Sequence, residues 1–185
     1  MAQDLLVKLW SLPDKMPVLQ ALQARGVSIK RVIAPDRGRV LAFVREHFGD
    51  GWMHECEAAI STVPSTCYIA VREREILGFS CFEATGKDYF GPIGVKKEAR
   101  VSGVGTGLLL CSLHSMWELG YAYAIIGWAD EAIGFYEKTV GAVPIEGGPS
   151  GHLSESDPEI VRRRRMESPI GRKRPPDFSF FGLVY

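Results

Sequence analysis

The stretch RVSGVGTGLLL, residues 100–110, sets the tightest limit on what this chain can fold into. Gly103, Gly105 and Gly107 alternate immediately before an apolar run. Glycine inside a helix or strand costs roughly 0.5–1 kcal/mol relative to alanine, so three together need a reason in the backbone. A helix N-terminus carries unpaired N–H groups at the positive end of the helix dipole and attracts anions. Glycines just ahead of such a helix leave no Cβ between a phosphate and the main chain. The stretch therefore reads as a pyrophosphate cradle, with a plain structural turn as the alternative.

Two familiar glycine motifs do not fit. A phosphate-binding P-loop needs Lys and Ser/Thr after its last glycine, and Leu108 and Leu109 stand there. A dinucleotide fingerprint is GxGxxG between parallel strands with an acid about twenty residues on. Here the spacing is GxGxG after what read as antiparallel strands, although Asp130 lies at a tolerable distance and keeps that reading as a minor alternative.

Hydrophobic spacing lays out the rest of the chain. DLLVKLW reads as a short strand, MPVLQALQAR as a helix ended by Gly26, and VSIKRVI as a strand. In APDRGRVLAFVREHF, Val40, Leu41, Phe43, Val44 and Phe48 share one helical face, and the turn at Gly49–Gly51 precedes a further helical stretch. STCYIAVRE and EILGFSCFEA read as adjacent antiparallel strands. DYFGPIGV is a third strand, in which Pro92 has no N–H to give a ladder and so marks a bulge or an edge. LLLCSLHSMWELG reads as an amphipathic helix closed by Gly120, YAYAIIGWA as a buried strand, EAIGFYEKTV as a helix and AVPIEG as a strand.

Composition narrows the class. With 22 basic and 22 acidic residues in 185, the chain as a whole favours neither nucleic acid nor an anionic membrane surface. Cys56, Cys67, Cys81 and Cys111 are widely spaced without a CxxC pair, which shows neither a zinc site nor a disulfide framework and suits reduced thiols. The N-terminus lacks a basic start followed by an apolar core, and no apolar run reaches spanning length, so a cytoplasmic protein is expected.

VKKEARVSGVGTGLL resembles motif A of the GNAT superfamily of acyl-CoA-dependent N-acetyltransferases, (Arg/Gln)-x-x-Gly-x-(Gly/Ala). Arg100, Gly103 and Gly105 occupy those positions, and Val95 stands where the preceding strand ends. AIGFYEKTVGAVPI resembles motif B, Ala-x-x-x-Tyr-x-Lys-x-Gly-Phe, through Ala132, Tyr136, Lys138 and Gly141. IKRVIAPDRGRVLAF is similar to the family's first strand and helix. The likeness spans roughly residues 27–146, with the elements in the family's order. Three departures stand out: one extra residue before Gly141, Ala142 in place of the motif B aromatic, and Ala129 where an asparagine often contacts the cofactor. That last contact is not carried over.

The resemblance implies an α/β (α+β) fold, a mixed and mostly antiparallel sheet flanked by helices, whose strands four and five splay to admit acyl-CoA. Residues 1–26 would be an extension packing on the core, 27–146 the acetyltransferase core, and 147–185 a C-terminal segment with a basic stretch and a candidate last strand, FSFFGLVY. Acetyl-CoA would be the acyl donor. Its pyrophosphate would rest on Arg100 and the amides of Val101, Gly103, Val104, Gly105, Thr106 and Gly107. Main-chain groups near Ile93 and Val95 would pair with the pantetheine and polarise the thioester carbonyl. Tyr136 matches the tyrosine that protonates the departing thiolate, although a tyrosine on such a helix also packs well. The base stays open between Glu83, Asp88 and a relayed water, and no metal is called for.

The implied function is N-acetyl transfer to a primary amine of a small molecule or protein, with a silent CoA-binding regulatory domain as the alternative. A nucleic-acid module built on Arg162–Arg165, Arg172, Lys173 and Arg174 is a third reading. No aromatic residues interleave that run, so it reads rather as a solvated basic segment. His114 and Trp52 read as packing residues, although Trp52 and His54 follow a turn that borders the acceptor pocket in the family. An unpaired edge at FSFFGLVY would favour a homodimer.

Overall fold

Seven strands run through the described residues, 3–130 and 132–146 of a computed structural model. They are β1 (Leu5–Lys8), β2 (Val27–Arg31), β3 (Cys67–Arg72), β4 (Glu75–Phe82), β5 (Tyr89–Val95), β6 (Tyr123–Ile126) and β7 (Val143–Pro144). Helices α1 (Met16–Gln23), α2 (Arg37–Phe48), α3 (Asp50–Ile60), α4 (Val104–Glu118) and α5 (Ile133–Val140) alternate with them. The strands form one sheet in the order β2-β3-β4-β5-β6-β1-β7, antiparallel throughout except for β5 beside β6. This is the mixed, mostly antiparallel sheet expected. The expectations for residues 147–185, the basic stretch and the last strand among them, lie outside the described residues.

Local chemistry explains the joins. Glu73 and Arg74 turn β3 into β4 with φ of 49° and 70°, the left-handed pair that a two-residue hairpin needs to match strand twist. The register between β4 and β5 slips between Ser80 and Phe82, opposite the stretch of β5 that contains Pro92. β4 is buried along nearly its whole length because both sheet faces are covered. Against one face, α2 and α3 bury Val40, Phe43, Val44, Met53 and Cys56 onto Ile69, Phe79 and Cys81. The side chains that alternate with these meet α4, where the hydroxyl of Ser80 donates to the Leu108 carbonyl at 3.2 Å and pairs with Ser112 Oγ at 2.8 Å.

The expectations for the helix after the glycines change. The helix after the glycines is not amphipathic: α4 is buried in an unbroken run from Gly107 to Leu113 because elements pack round most of its circumference. It also starts earlier than read, at Val104, so only Gly103 precedes it and Gly105 and Gly107 belong to its first turn. Residues 3–26 carry the strand read in DLLVKLW. They supply β1, which lies between β6 and β7 and buries Leu5, Val7 and Leu9 in the same core as α4.

Candidate active site: a wedge between two parallel strands

β5 and β6 pair only at Tyr89–Ile125 and Phe90–Ile126. Beyond Phe90, β5 keeps its partner on the β4 side, with Ile93 opposite Ser80 and Val95 opposite Gly78. Pro92 has no N–H to offer β6, which fits the parting of the two strands at that point. A cleft of 510 Å³ opens where they separate, lined by β5 from Tyr89 to Ile93, by Ile126–Asp130, and by side chains from helices on both faces of the sheet. Trp52 and Glu55 come from α3 on one face, while Ala132 and Tyr136 come from the α5 side on the other.

The far rim is held by the start of the chain. Asp4 is buried, and its carboxylate accepts the Trp128 N–H at 3.0 Å, while the Gln3 carbonyl accepts the Ala129 N–H at 3.0 Å. Trp128 takes φ of 57°, a left-handed conformation that a bulky residue adopts only where surrounding contacts hold it. Its side chain stays 62% exposed at the mouth of the cleft.

Tyr136 sits at the inner wall with 5% exposure, its ring edge-on to Phe90 at 6.4 Å and tilted against Phe135 at 5.2 Å. Burial pushes its phenol up to about 12, so the group is a neutral O–H across the whole physiological range. No residue among those described bonds its hydroxyl. Tyr89, at the base of the cleft, is also raised, chiefly by burial and then by the Asp4 charge.

The glycine stretch follows β5 out of the cleft. A 3-10 turn over Lys97–Ser102 leads to Gly103, whose φ of 77° caps α4. The first helical bond runs from Gly107 N–H to the Gly103 carbonyl at 3.0 Å, which leaves the amides of Val104, Gly105 and Thr106 without helical acceptors. Gly107 has a packing reason of its own, since a Cβ there would stand 2.5 Å from Ile29 Cδ1 and 2.8 Å from Leu22 Cδ1. Arg100 Nε donates to the Val95 carbonyl at 3.3 Å, which ties the turn to the end of β5.

Of the residues singled out in the sequence, Ile93 and Tyr136 line the cleft together, whereas Val95, Arg100 and the stretch Gly103–Gly107 lie outside that lining; the Val101 side chain lies outside what the structure describes. Val104 is wholly buried, so it has only main chain to offer a ligand. Glu83 and Asp88 are also outside the lining: the Glu83 carboxylate accepts Lys87 Nζ at 2.8 Å and the Tyr121 hydroxyl, and Asp88 contributes its carbonyl to the Ile125 N–H. The carboxylate that sequence reasoning missed is Glu55, which lines the cleft and accepts the Thr85 hydroxyl at 2.6 Å. Its position three residues after Trp52 on one helix was the available signal.

Comparison with known proteins agrees with this geometry. The sequence profile of the Acetyltransferase (GNAT) family matches residues 39–142. No curated protein sequence matches the chain. Among solved structures, the fold is similar to a GCN5-related glucosamine N-acetyltransferase region of a fungal multi-domain GH3 beta-N-acetylglucosaminidase, with TM-score 0.62, 16% identity, and 78% of this chain against 20% of that one. It is also similar to a GCN5-related N-acetyltransferase from Sphaerobacter thermophilus, with TM-score 0.60, 15% identity, and 77% of this chain against 48% of that one. A GCN5-related N-acetyltransferase from Kribbella flavida gives TM-score 0.50 at 12% identity, with 77% of this chain against 54% of that one. The chain thus spans between a fifth and about half of these proteins, and identities this low speak for the fold alone. With the profile covering more than half its length, the chain belongs to the GNAT acetyltransferase family.

Proposed function

We propose that the protein transfers an acetyl group from acetyl-CoA to a primary amine of a small molecule or protein, by direct attack of the amine on the thioester. The observation that carries this reading is Tyr136, a buried neutral phenol on the wall of a cleft that receives side chains from both faces of the sheet. Acetyl-CoA supplies an activated acyl group with a thiolate to leave.

The residues present suit such a donor. At Gly105 the nearest atoms to an added Cβ are Phe135 Cζ at 3.7 Å and Val95 Cγ2 at 3.8 Å, so the main chain of the first α4 turn stands clear. The amides of Val104, Gly105 and Thr106 at the start of α4 hold the pyrophosphate, with Gly103 shaping the turn and Arg100 adding charge beside it. Among the described residues β5 has no strand partner on its β6 side beyond Phe90, which leaves main-chain groups near Ile93 and Val95 for the pantetheine and the thioester carbonyl. Glu55, on the opposite face from α5, takes one proton from the ammonium so that the neutral amine attacks. Tyr136 gives its proton to the departing thiolate and is restored by the second proton, shed from the acylated nitrogen. The new bond is N–C, the broken bond C–S, and both protons are accounted for.

The test is to titrate the protein with acetyl-CoA calorimetrically and follow free thiol release with a panel of amines. Binding together with amine-dependent thiol release supports the reading. Binding without turnover on any amine points instead to a silent CoA-binding domain, and absence of binding sinks both.

A further inference from the structure

The cleft carries charge of one sign. Glu55 and Asp130 line it, and among the described residues no lysine, arginine or histidine does. The chain as a whole balances 22 basic against 22 acidic residues, so the acidity is local. A third carboxylate stands close by: a Cβ on Gly127, which also lines the cleft, would lie 3.9 Å from Asp4 Oδ1 and 3.3 Å from the Tyr89 ring. The rings of Trp52, Tyr89 and Trp128 share the lining with these acids. The Tyr136 hydroxyl, on a side chain 5% exposed, has no bonding partner among the described residues yet is not sealed from solvent, so it opens into the same space. We propose that the acceptor is a small aliphatic diamine or polyamine, whose reacting amine meets Glu55 and whose second ammonium is held by the Asp130 carboxylate and the Trp128 ring. The inference rests on the acyl-transfer reading given above.

Carboxylates and aromatic faces are the two kinds of group that hold an ammonium ion. The carboxylate accepts its hydrogen bonds, and the negative face of a ring, tryptophan best of all, attracts its charge. Glu55 becomes neutral once it has taken a proton, so a second ammonium needs the negative charge that Asp130 and Asp4 retain. Between the acids the lining is apolar, with Pro92, Ile93 and Ile126 to cover methylene groups. A sugar amine fits this surface poorly, because its hydroxyls would give up water there, and the Thr85 hydroxyl already donates to Glu55. An acceptor bearing its own carboxylate would meet like charge.

The donor is sorted by the same rule. Acetyl-CoA is an anion, and its phosphates go to the start of α4 beside Arg100, outside this lining. The chemical step keeps its balance: N–C forms, C–S breaks, one proton of the reacting ammonium leaves through Glu55 to solvent, and the other ends on the thiol by way of Tyr136. The second ammonium keeps its proton throughout. The product therefore carries one positive charge fewer than the acceptor, which weakens its hold on an acidic cleft and favours release.

The test compares 1,4-diaminobutane with butylamine, 4-aminobutyrate and glucosamine on the unaltered full chain. Thiol release from acetyl-CoA gives kcat and KM, and calorimetry with and without CoA gives binding of each amine alone. The diamine should exceed butylamine in kcat/KM by about 10-fold or more, the worth of one hydrogen bond to a charged group and well beyond the about twofold that two equivalent amines supply. Most of the gain lies in KM, and the acid and the sugar react more slowly than butylamine. Asp130→Asn and Trp128→Leu each shrink the diamine-to-butylamine ratio, whereas Glu55→Gln slows both amines and keeps it. Should a variant fail to fold, the ratio in the unaltered chain decides. Thiol release at equal rates from diamine and butylamine, or faster release with the acid or the sugar, overturns this inference and leaves the acyl-transfer reading standing. Diamine binding that Asp130→Asn weakens, without thiol release on any amine, supports the site and overturns the transfer. Neither binding nor turnover of the diamine overturns the inference outright.

Discussion

The carboxylate of Asp4 accepts the backbone N–H of Trp128 at 3.0 Å, joining two residues 124 positions apart. The bond holds a left-handed tryptophan at the cleft mouth, and Asp4 is itself buried. Asp4→Ala removes the acceptor and leaves a donor unpaired, which costs about 1–3 kcal/mol. Asp4→Asn keeps an acceptor oxygen and costs less. Urea unfolding of the two variants measures the difference, and equal losses count against the clamp.

Tyr136→Phe keeps the packing and deletes the hydroxyl. Acetyl-CoA affinity stays within about twofold, while turnover falls about 10²–10⁴-fold, the range for losing a general acid. Unchanged turnover removes Tyr136 from the chemistry.

The same residue makes a pH prediction. Its phenol is raised by burial from the ordinary 10 to about 12 in the folded protein. The unfolded chain therefore loses this proton first, so its contribution to stability is complete below pH 10 and disappears as pH rises through 12. At about 1.36 kcal/mol per pKa unit the loss is at most about 3 kcal/mol. Alkaline denaturation curves should flatten in Tyr136→Phe; identical slopes refute the assignment.

Two glycines of one helical turn separate binding from folding. Gly107→Val drives side-chain atoms into Ile29 and Leu22 and destabilises the protein by about 1–3 kcal/mol or more. Gly105→Ala has ordinary room and adds helix propensity, so thermal stability holds or rises while acetyl-CoA binding weakens at least tenfold. If Gly105→Ala binds acetyl-CoA as well as the parent, the pyrophosphate does not rest there.

Glu55→Gln retains a partner for the Thr85 hydroxyl but accepts no proton. The rate at neutral pH drops about 10²-fold or more and recovers as pH rises toward the free amine's pKa. A pH–rate profile parallel to that of the parent assigns the base elsewhere.

Much of this architecture was legible because its signals are local. Alternation fixed the strands, Gly26 and Gly120 closed helices with positive φ, and Pro92 announced the irregular stretch of β5 from its missing N–H alone. What the sequence hid depends on contacts distant in the chain. Nothing in RVSGVGTGLLL distinguishes Gly103, needed for its φ of 77°, from Gly107, needed because Ile29 and Leu22 press on it. That Cys56, Cys67 and Cys81 bring their sulfurs within 4.8 Å of one another escaped spacing rules, because they come from a helix and two strands that only folding brings together. Glu55 was hidden likewise, since a carboxylate on a polar helix face looks solvated until the facing cleft is known.

The position of β1 has a consequence for how the protein is made. Among the described residues, Leu5–Lys8 pairs with Tyr123–Ile126 and Val143–Pro144. Closing so long a loop is slow, and on a ribosome the partners do not yet exist when the strand emerges. Domains of this kind can order the β2–β5 half during synthesis, but the half carrying Trp128 must wait for residue 144. The residues of β1 are thus among the last to settle, and the cleft mouth is finished only when β7 has left the tunnel.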